Sequence, residues 1–226
     1  MSEVGNYGQQ TPTDSNSQFA NIAFLIQQML GHVRTSVPVK VLAVHGGGVG
    51  PAPTVDVQVM VKQMDGSGNA SSHSTIFNIP VARNQGGANA IINDPKVGDI
   101  GHMVVSDRDI SSVQANNGAE SNPGSFRRHD LADGVYHSAM LNPANPSQYI
   151  IFTATGVSIV DMNGNMIVMG PGKITVTTTT LVVNGAITAT GNITAGFGGS
   201  SVDVLNHTHG GITSGSNHTA TPDVGT

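Results

Sequence analysis

The chain has VSIV at residues 157–160, MIVM at 166–169 and ITVT at 174–177, and glycine-containing segments separate these runs. Short runs rich in Val, Ile and Thr that are bounded by glycine are typical of β-strands. Between Ile150 and Asn206 we find three charged residues, Asp161, Lys173 and Asp203, and no helical pattern. These strands therefore have no helix to cover the apolar face of the sheet that they would form.

The same pattern continues at residues 181–183, 186–190 and 193–195. Strands this short would leave apolar faces and unpaired edges in water if each chain folded alone. Three copies wound about one axis would point Val, Ile and Met inward and would pair each edge with a neighbouring chain. We therefore predict an intertwined, triple-stranded trimeric β-helix over residues 149–206. A monomeric β-solenoid and half of a β-sandwich are the alternatives.

A His-Thr-His sequence, His207-Thr208-His209, follows this region. Imidazoles at i and i+2 on extended backbone point to the same side. A threefold axis would bring six such nitrogens together as an octahedral structural site, and six-coordination favours iron, cobalt or nickel over tetrahedral zinc. We predict a metal-binding tip at residues 207–226; the alternative is a solvated His-x-His pair. His218 is a further tip residue, either a hydrogen-bond partner of the site or simply exposed.

Residues 36–148 have a different pattern, in which Val37, Val39 and Val41 alternate with other residues, and the same alternation recurs at positions 55–61. Several short strands joined by glycine-rich turns, such as Asp65–Asn69, predict a small antiparallel barrel. Residues 111–134 are rich in Ser, Asn and Gly, which predicts a long loop. The fold class is therefore all-β, with the barrel preceding the β-helix.

Residues 1–35 are predicted to form a flexible arm and a short helix. Ser17 is a suitable N-cap, and Gly31 marks the expected end. The apolar residues between these positions follow helical spacing: Phe19, Ile22, Ala23, Ile26, Leu30 and Val33. A single apolar helix of this length needs a surface to cover, either on the barrel or on a partner.

Composition excludes several classes of function. The chain has 226 residues, no Cys, a net charge of −5 and 4% aromatic residues, which argues against disulfides, thiolate metal sites and nucleic-acid binding. His45-Gly46-Gly47-Gly48 lacks the Gly-x-Ser-x-Gly partner of a hydrolase. Asp107-Arg108-Asp109 is interpreted as a solvated salt-bridge cluster. We therefore predict no enzymatic activity and no small-molecule substrate.

Two parts of the chain resemble a known family. The barrel region has PVKVLAV at 38–44, IPV at 79–81, DPKVGDIG at 94–101 and DRDIS at 107–111, and the tip has HTHGG at 207–211. These stretches are similar to the central spike, or membrane-piercing, protein of contractile phage tails, of the baseplate assembly protein V type. The barrel stretches resemble its N-terminal oligonucleotide/oligosaccharide-binding fold (OB-fold) domain.

The resemblance implies a homotrimeric, non-enzymatic virion protein at the baseplate, at the tip of a contractile tail. It implies one iron ion per trimer, bound octahedrally by six histidines that are His207 and His209 of each chain. The barrels would attach to the baseplate hub and tail tube, and the tip would contact the host outer membrane transiently during sheath contraction. The alternatives are a carbohydrate-active tail depolymerase and a bacteriocin or secretion-system spike of the same architecture.

Overall fold

The computed structural model describes residues 16–139, 141–142, 144–195 and 202–203. The chain divides into two compact units, Met1–Asn145 and Pro146–Thr226, which we call the barrel unit and the sheet unit. Within the described residues, no helix is both long enough and apolar enough to cross a bilayer.

The described chain begins with a 14-residue helix, α1 (Gln18–Gly31). Its N-terminus is capped by Ser17, whose hydroxyl accepts a hydrogen bond from the backbone N–H of Ala20 at 3.1 Å. The predicted helix and its serine cap are therefore confirmed. No residue of α1 is buried, so packing against the barrel contributes little to the stability of this helix.

After α1, the described part of the barrel unit forms nine strands and two short helical segments. In chain order they are β1 (Ser36–His45), β2 (Thr54–Val59), β3 (Gln63–Met64), β4 (Ala70–Ser71), β5 (Ile76–Pro80), β6 (Asn84–Gly86), β7 (Asn89–Ile91), β8 (Ile100–Val105), α2 (Ser111–Ala115), a 3-10 turn (Leu131–Asp133) and β9 (Gly134–Ala139).

Five of these strands form one antiparallel sheet in the order β5-β2-β1-β8-β9. Its two edges approach each other, because Val81, just after β5, forms a parallel bridge to Tyr136 of β9. The backbone N–H of Ala82 also donates to the Tyr136 carbonyl at 2.8 Å. The sheet therefore curls until its edges meet at this bridge, and the predicted all-β class with an N-terminal barrel is confirmed.

The barrel core follows the period-two pattern of the strands. In β2, for example, Val55, Val57 and Val59 are buried while the intervening residues are half-exposed. Each fully buried aliphatic side chain contributes about 1.5–3 kcal/mol. The buried hydrophobic residues are Val39, Val41, Val55, Val57, Val59, Ile79, Met103, Val105 and Tyr136.

One glycine of the barrel is required by close packing. A Cβ atom at Gly101 of β8 would collide with the ring of Tyr136 and with the His137 carbonyl. Tyr136 is the largest fully buried side chain of the described core. Gly101 therefore makes room for the aromatic ring at the point where β8 and β9 meet.

The sheet unit begins with four strands that form a simple antiparallel meander, and a two-stranded ribbon follows. The strands are β10 (Tyr149–Thr153), β11 (Gly156–Val160), β12 (Met166–Gly170), β13 (Lys173–Thr177), β14 (Thr194–Ala195) and β15 (Val202–Asp203).

The same five-residue turn occurs once in each unit. One turn starts at Asp65 and joins β3 to β4, and the other starts at Asp161 and joins β11 to β12. In both turns the aspartate carboxylate accepts hydrogen bonds from the backbone N–H groups of residues i+2 and i+4. It also accepts one from the side-chain amide of the asparagine at i+4, and all of these bonds are 2.8–2.9 Å long. The asparagine side-chain bond is the largest cause that lowers the pKa of both aspartates. The turn predicted at Asp65–Asn69 is therefore confirmed.

Candidate oligomerisation surface

One face of the four-stranded meander consists entirely of apolar side chains. Residues that are paired directly across antiparallel strands lie on the same face, and the register forms two complete rows of four on this face. The first row is Ile150, Ile159, Ile167 and Val176. The second row is Phe152, Val157, Met169 and Ile174. We call these eight residues the apolar face.

Seven of the eight side chains of the apolar face are exposed, and Val157 is half-exposed. The exposed fraction reaches 78% for Phe152 and 69% for Ile174. Monomeric soluble proteins rarely expose contiguous apolar patches larger than a few hundred Å². An antiparallel sheet normally packs its more apolar face against another layer. The apolar face is therefore a surface on which a further layer is expected.

The opposite face of the meander has a mixed composition. Ser158, Thr175 and Thr177 lie there together with Lys173, and apolar residues such as Ile151 are interspersed among them. This face can therefore meet water, whereas the apolar face cannot do so without a large hydrophobic cost. The two strands at the margins of the meander, β10 and β13, each have one edge that pairs with no strand among the described residues.

The segment after β13 has apolar residues but no regular structure up to residue 193. Leu181, Val182, Val183 and Ile187 are all exposed. The strands predicted at 181–183 and 186–190 are absent from the described chain, and Ile193–Ala195 is represented by the two-residue β14. Residues with this β-propensity need a neighbouring backbone to pair with, and the described residues of the chain offer none to this segment.

The predicted metal ligands, His207 and His209, lie outside the described residues, as does His218. Within the described residues no group of three or more His, Cys, Asp or Glu could hold a metal ion. Two histidines of the barrel unit have polar partners: His45 Nε2 lies 3.0 Å from Asp56, and His129 Nδ1 lies 3.0 Å from the Arg34 carbonyl. The metal site therefore remains a prediction from sequence.

An ionic cluster with two buried carboxylates, which the sequence did not reveal, organises the predicted long loop. Arg127 donates from Nε to Asp133 at 2.7 Å and from Nη2 to both Asp133 and Asp109 at 2.9 Å. The Ser125 hydroxyl donates to Asp109 at 2.6 Å, and Asp133 accepts the Ile110 N–H at 3.1 Å. We call Asp109, Ser125, Arg127 and Asp133 the loop clamp.

The two carboxylates of the loop clamp are buried, although the side chain of Arg127 that covers them is 38% exposed. Asp109 is 5% exposed and Asp133 is 1% exposed. Hydrogen bonds from Ser111 and then Ser125 hold the pKa of Asp109 well below its usual range, and Arg127 contributes in the same direction. The interpretation of Asp107-Arg108-Asp109 as a solvated cluster is therefore wrong for Asp109, because its partner is Arg127, 18 residues later, and not the adjacent Arg108.

Residues 37–138 match the family model described as the phage protein Gp138 N-terminal domain. The matched segment begins in β1 and ends in β9, so it covers the strands of the curled sheet. It supports a phage structural protein. For a phage structural protein a virion-associated location is expected. No curated protein matches the chain closely enough to count as a relative.

Proposed function

We propose that the protein is the homotrimeric central spike of a contractile tail baseplate, and that it pierces the host outer membrane during sheath contraction. The observation that carries the proposal is the uncovered apolar face of the meander. Eight apolar side chains in two unbroken rows need a covering layer, and no helix of the sheet unit is described that could supply it.

Three copies meet this need better than two. Two meanders packed face to face would bury the apolar face as a sandwich, but the segment 178–193 and the outer edges of β10 and β13 would still lack partners. Three chains wound about one axis turn each apolar face inward and also provide neighbouring backbones for these edges. The predicted intertwined, triple-stranded β-helix over 149–206 is therefore the assembly that we propose.

Such an assembly suits a piercing element. A threefold intertwined core distributes an axial load over many backbone hydrogen bonds and a continuous buried interior. The described part of the sheet unit has three charged residues, Asp161, Lys173 and Asp203, and few charges mean a small desolvation penalty when the spike crosses lipid. The barrels would connect the spike to the baseplate hub and the tail tube.

We further propose that His207 and His209 of the three chains bind one iron ion at the tip. The support is the chemistry of the donor set, because six neutral imidazoles form an octahedral environment that iron accepts. The ion would supply a structural clamp for three chain ends. All six positions would be filled by protein, so no position would remain for a substrate.

A carbohydrate-active enzyme is less consistent with the described residues. Glycoside hydrolysis usually needs a pair of carboxylates. The described part of the sheet unit has two acidic residues, Asp161 and Asp203. The Asp161 carboxylate is engaged by the backbone and side chains of its own turn. The phage family match favours a phage spike over a bacteriocin or secretion-system spike of the same architecture.

The experiment that tests the proposal measures molar mass by light scattering and metal content by elemental analysis on the purified chain. We expect a mass of about three times 23.1 kDa and one iron ion per three chains. A folded, metal-free species with the mass of one chain would overturn the proposal.

A further inference from the structure

One side of helix α1 is both apolar and exposed. Phe19, Ile22, Ile26 and Met29 are all exposed, and Phe19 reaches 82%. Leu25 and Leu30 flank them and are also exposed. At 100° per residue these six side chains cover an arc of about 140° on one side of the helix. A surface helix of a globular protein would present this arc to its own core, and α1 does not.

The spacing within this arc is that of a coiled coil. Phe19, Ile22, Ile26 and Met29 occupy successive a, d, a and d positions of a heptad repeat, in which alternate steps of three and four residues keep one seam facing a partner. Isoleucine at both an a and a d position favours three helices over two. Apolar residues at the flanking positions, Leu25 and Leu30, fit a threefold bundle, because each helix then touches two neighbours and buries a wider arc.

The charge distribution indicates which partner covers the arc. No Asp, Glu, Lys or Arg occurs between Asp14 and Arg34, so α1 offers no ion pair that would select a different charged protein. The same absence of charge lets identical copies approach without repulsion. A 14-residue helix is marginal in water by itself, but three copies held on one assembly would be present at a high effective concentration.

We propose that the three α1 helices of the assembly pack against one another as a parallel three-helix coiled coil, with Ile22 and Ile26 in its core. This inference rests on the proposed homotrimer and adds a second interface, N-terminal to the barrels. Threefold symmetry makes the helices parallel and places equivalent residues at the same height around the axis.

The chain contains no cysteine, so single introduced cysteines report directly on this packing. With helix axes about 9.5 Å apart and Cα atoms about 2.3 Å from each axis, Cα atoms that face the threefold axis lie about 5–6 Å apart, within disulfide range. Cα atoms on the outside, as at Gln27, lie more than about 10 Å apart by the same geometry. Ile26→Cys is therefore the test variant and Gln27→Cys its neighbouring control.

The experiment oxidises each full-length variant and counts covalent dimers on a denaturing gel, while light scattering gives the mass of the reduced sample. We expect a trimer mass for both variants, with covalent dimers at least tenfold more abundant for Ile26→Cys. Ile22→Cys is a second core variant, in case Ile26→Cys misfolds. A trimer with equal or no cross-linking at the two positions overturns the coiled coil and leaves the proposed function intact. The mass of a single chain overturns both.

Discussion

Ile159 of β11 lies directly opposite Ile167 of β12, and both side chains are exposed at the middle of a row of four apolar residues. Exposing such a row to water is unfavourable. The layer that covers it must come from outside the meander, because all four strands of the meander already lie in the same sheet. A charge placed in this row would become buried in the assembly, where an unpaired ion costs several kcal/mol.

We predict that Ile167→Asp converts the proposed trimer to single chains, because three carboxylates would meet in its interior. Thr175→Asp is the matched control, since Thr175 is exposed on the opposite face of the same meander and its carboxylate would stay in water. Light scattering at micromolar concentration distinguishes the two masses. Trimers of equal stability for both variants would show that the apolar face is not the interface.

The loop clamp predicts that two adjacent arginines, Arg127 and Arg128, differ in their contribution to the thermal stability of the barrel. Arg127→Met leaves two buried carboxylates without their cation, so we expect the thermal midpoint of the barrel to fall by several degrees or more. Arg128→Met should leave the midpoint unchanged, because Arg128 forms no ion pair among the described residues. Equal midpoints for the two variants would indicate that Arg127 contributes nothing to the fold.

The lowered pKa of Asp109 also predicts how the stability of the fold changes as the pH falls. A carboxylate whose pKa is lower in the folded state than in the unfolded state, where it is about 3.9, stabilises the fold above that value and loses this contribution as the pH falls. We expect the thermal midpoint to decline between about pH 5 and pH 2. Asp109→Asn should have a lower midpoint at neutral pH and a shallower acid decline, as followed by circular dichroism.

Tyr136 predicts the opposite behaviour at alkaline pH. Its hydroxyl is buried without a hydrogen-bond partner among the described residues, and burial raises its pKa to about 12. The folded-state pKa lies above the unfolded-state value of about 10. The free energy of unfolding should therefore decrease as the pH rises from about 10 to about 12.

We expect Tyr136→Phe to be neutral or stabilising by up to about 1 kcal/mol at pH 7, since it removes an unsatisfied polar group. The variant should also lose less stability above about pH 10. Urea denaturation at pH 7 and at a pH above about 10 measures the free energy of unfolding of both proteins. A loss of more than about 1 kcal/mol at pH 7 would instead reveal a hydrogen bond through bound water.

The metal site predicts a simple analytical result. The combined variant His207→Ala and His209→Ala should purify as a trimer without iron, because the apolar face would still hold the chains together. His218→Ala is the control, and it should retain about one iron ion per trimer. Iron content that is unchanged in the combined variant would exclude these two histidines as ligands.

Sequence predicts local features of this chain better than distant contacts. The alternation of Val55, Val57 and Val59 shows the core side of β2, and the Ser17 cap shows where α1 begins, because both signals depend on nearby residues. The closing bridge between Val81 and Tyr136 joins residues more than 50 positions apart. The sequence around each of these residues does not indicate that it pairs with the other.

The candidate site shows the same limit. The apolar rows follow from the strand pattern, but their alignment into one face depends on the turn at Asp161, which fixes the register between β11 and β12. The loop clamp depends on Arg127 reaching Asp109 across a long loop, whereas the local sequence offered Arg108 as a nearer partner. For residues 178–193 the strand propensity is present, yet a strand needs a second backbone that the described chain does not supply.

The uncovered apolar face also has a consequence for how infected cells produce the protein. In the proposed trimer, a newly synthesised chain would expose two apolar rows until it binds two further copies, so assembly would compete with aggregation. The yield of properly assembled particles should therefore vary steeply with expression level and temperature, and slow, cool expression with abundant chaperones should favour it.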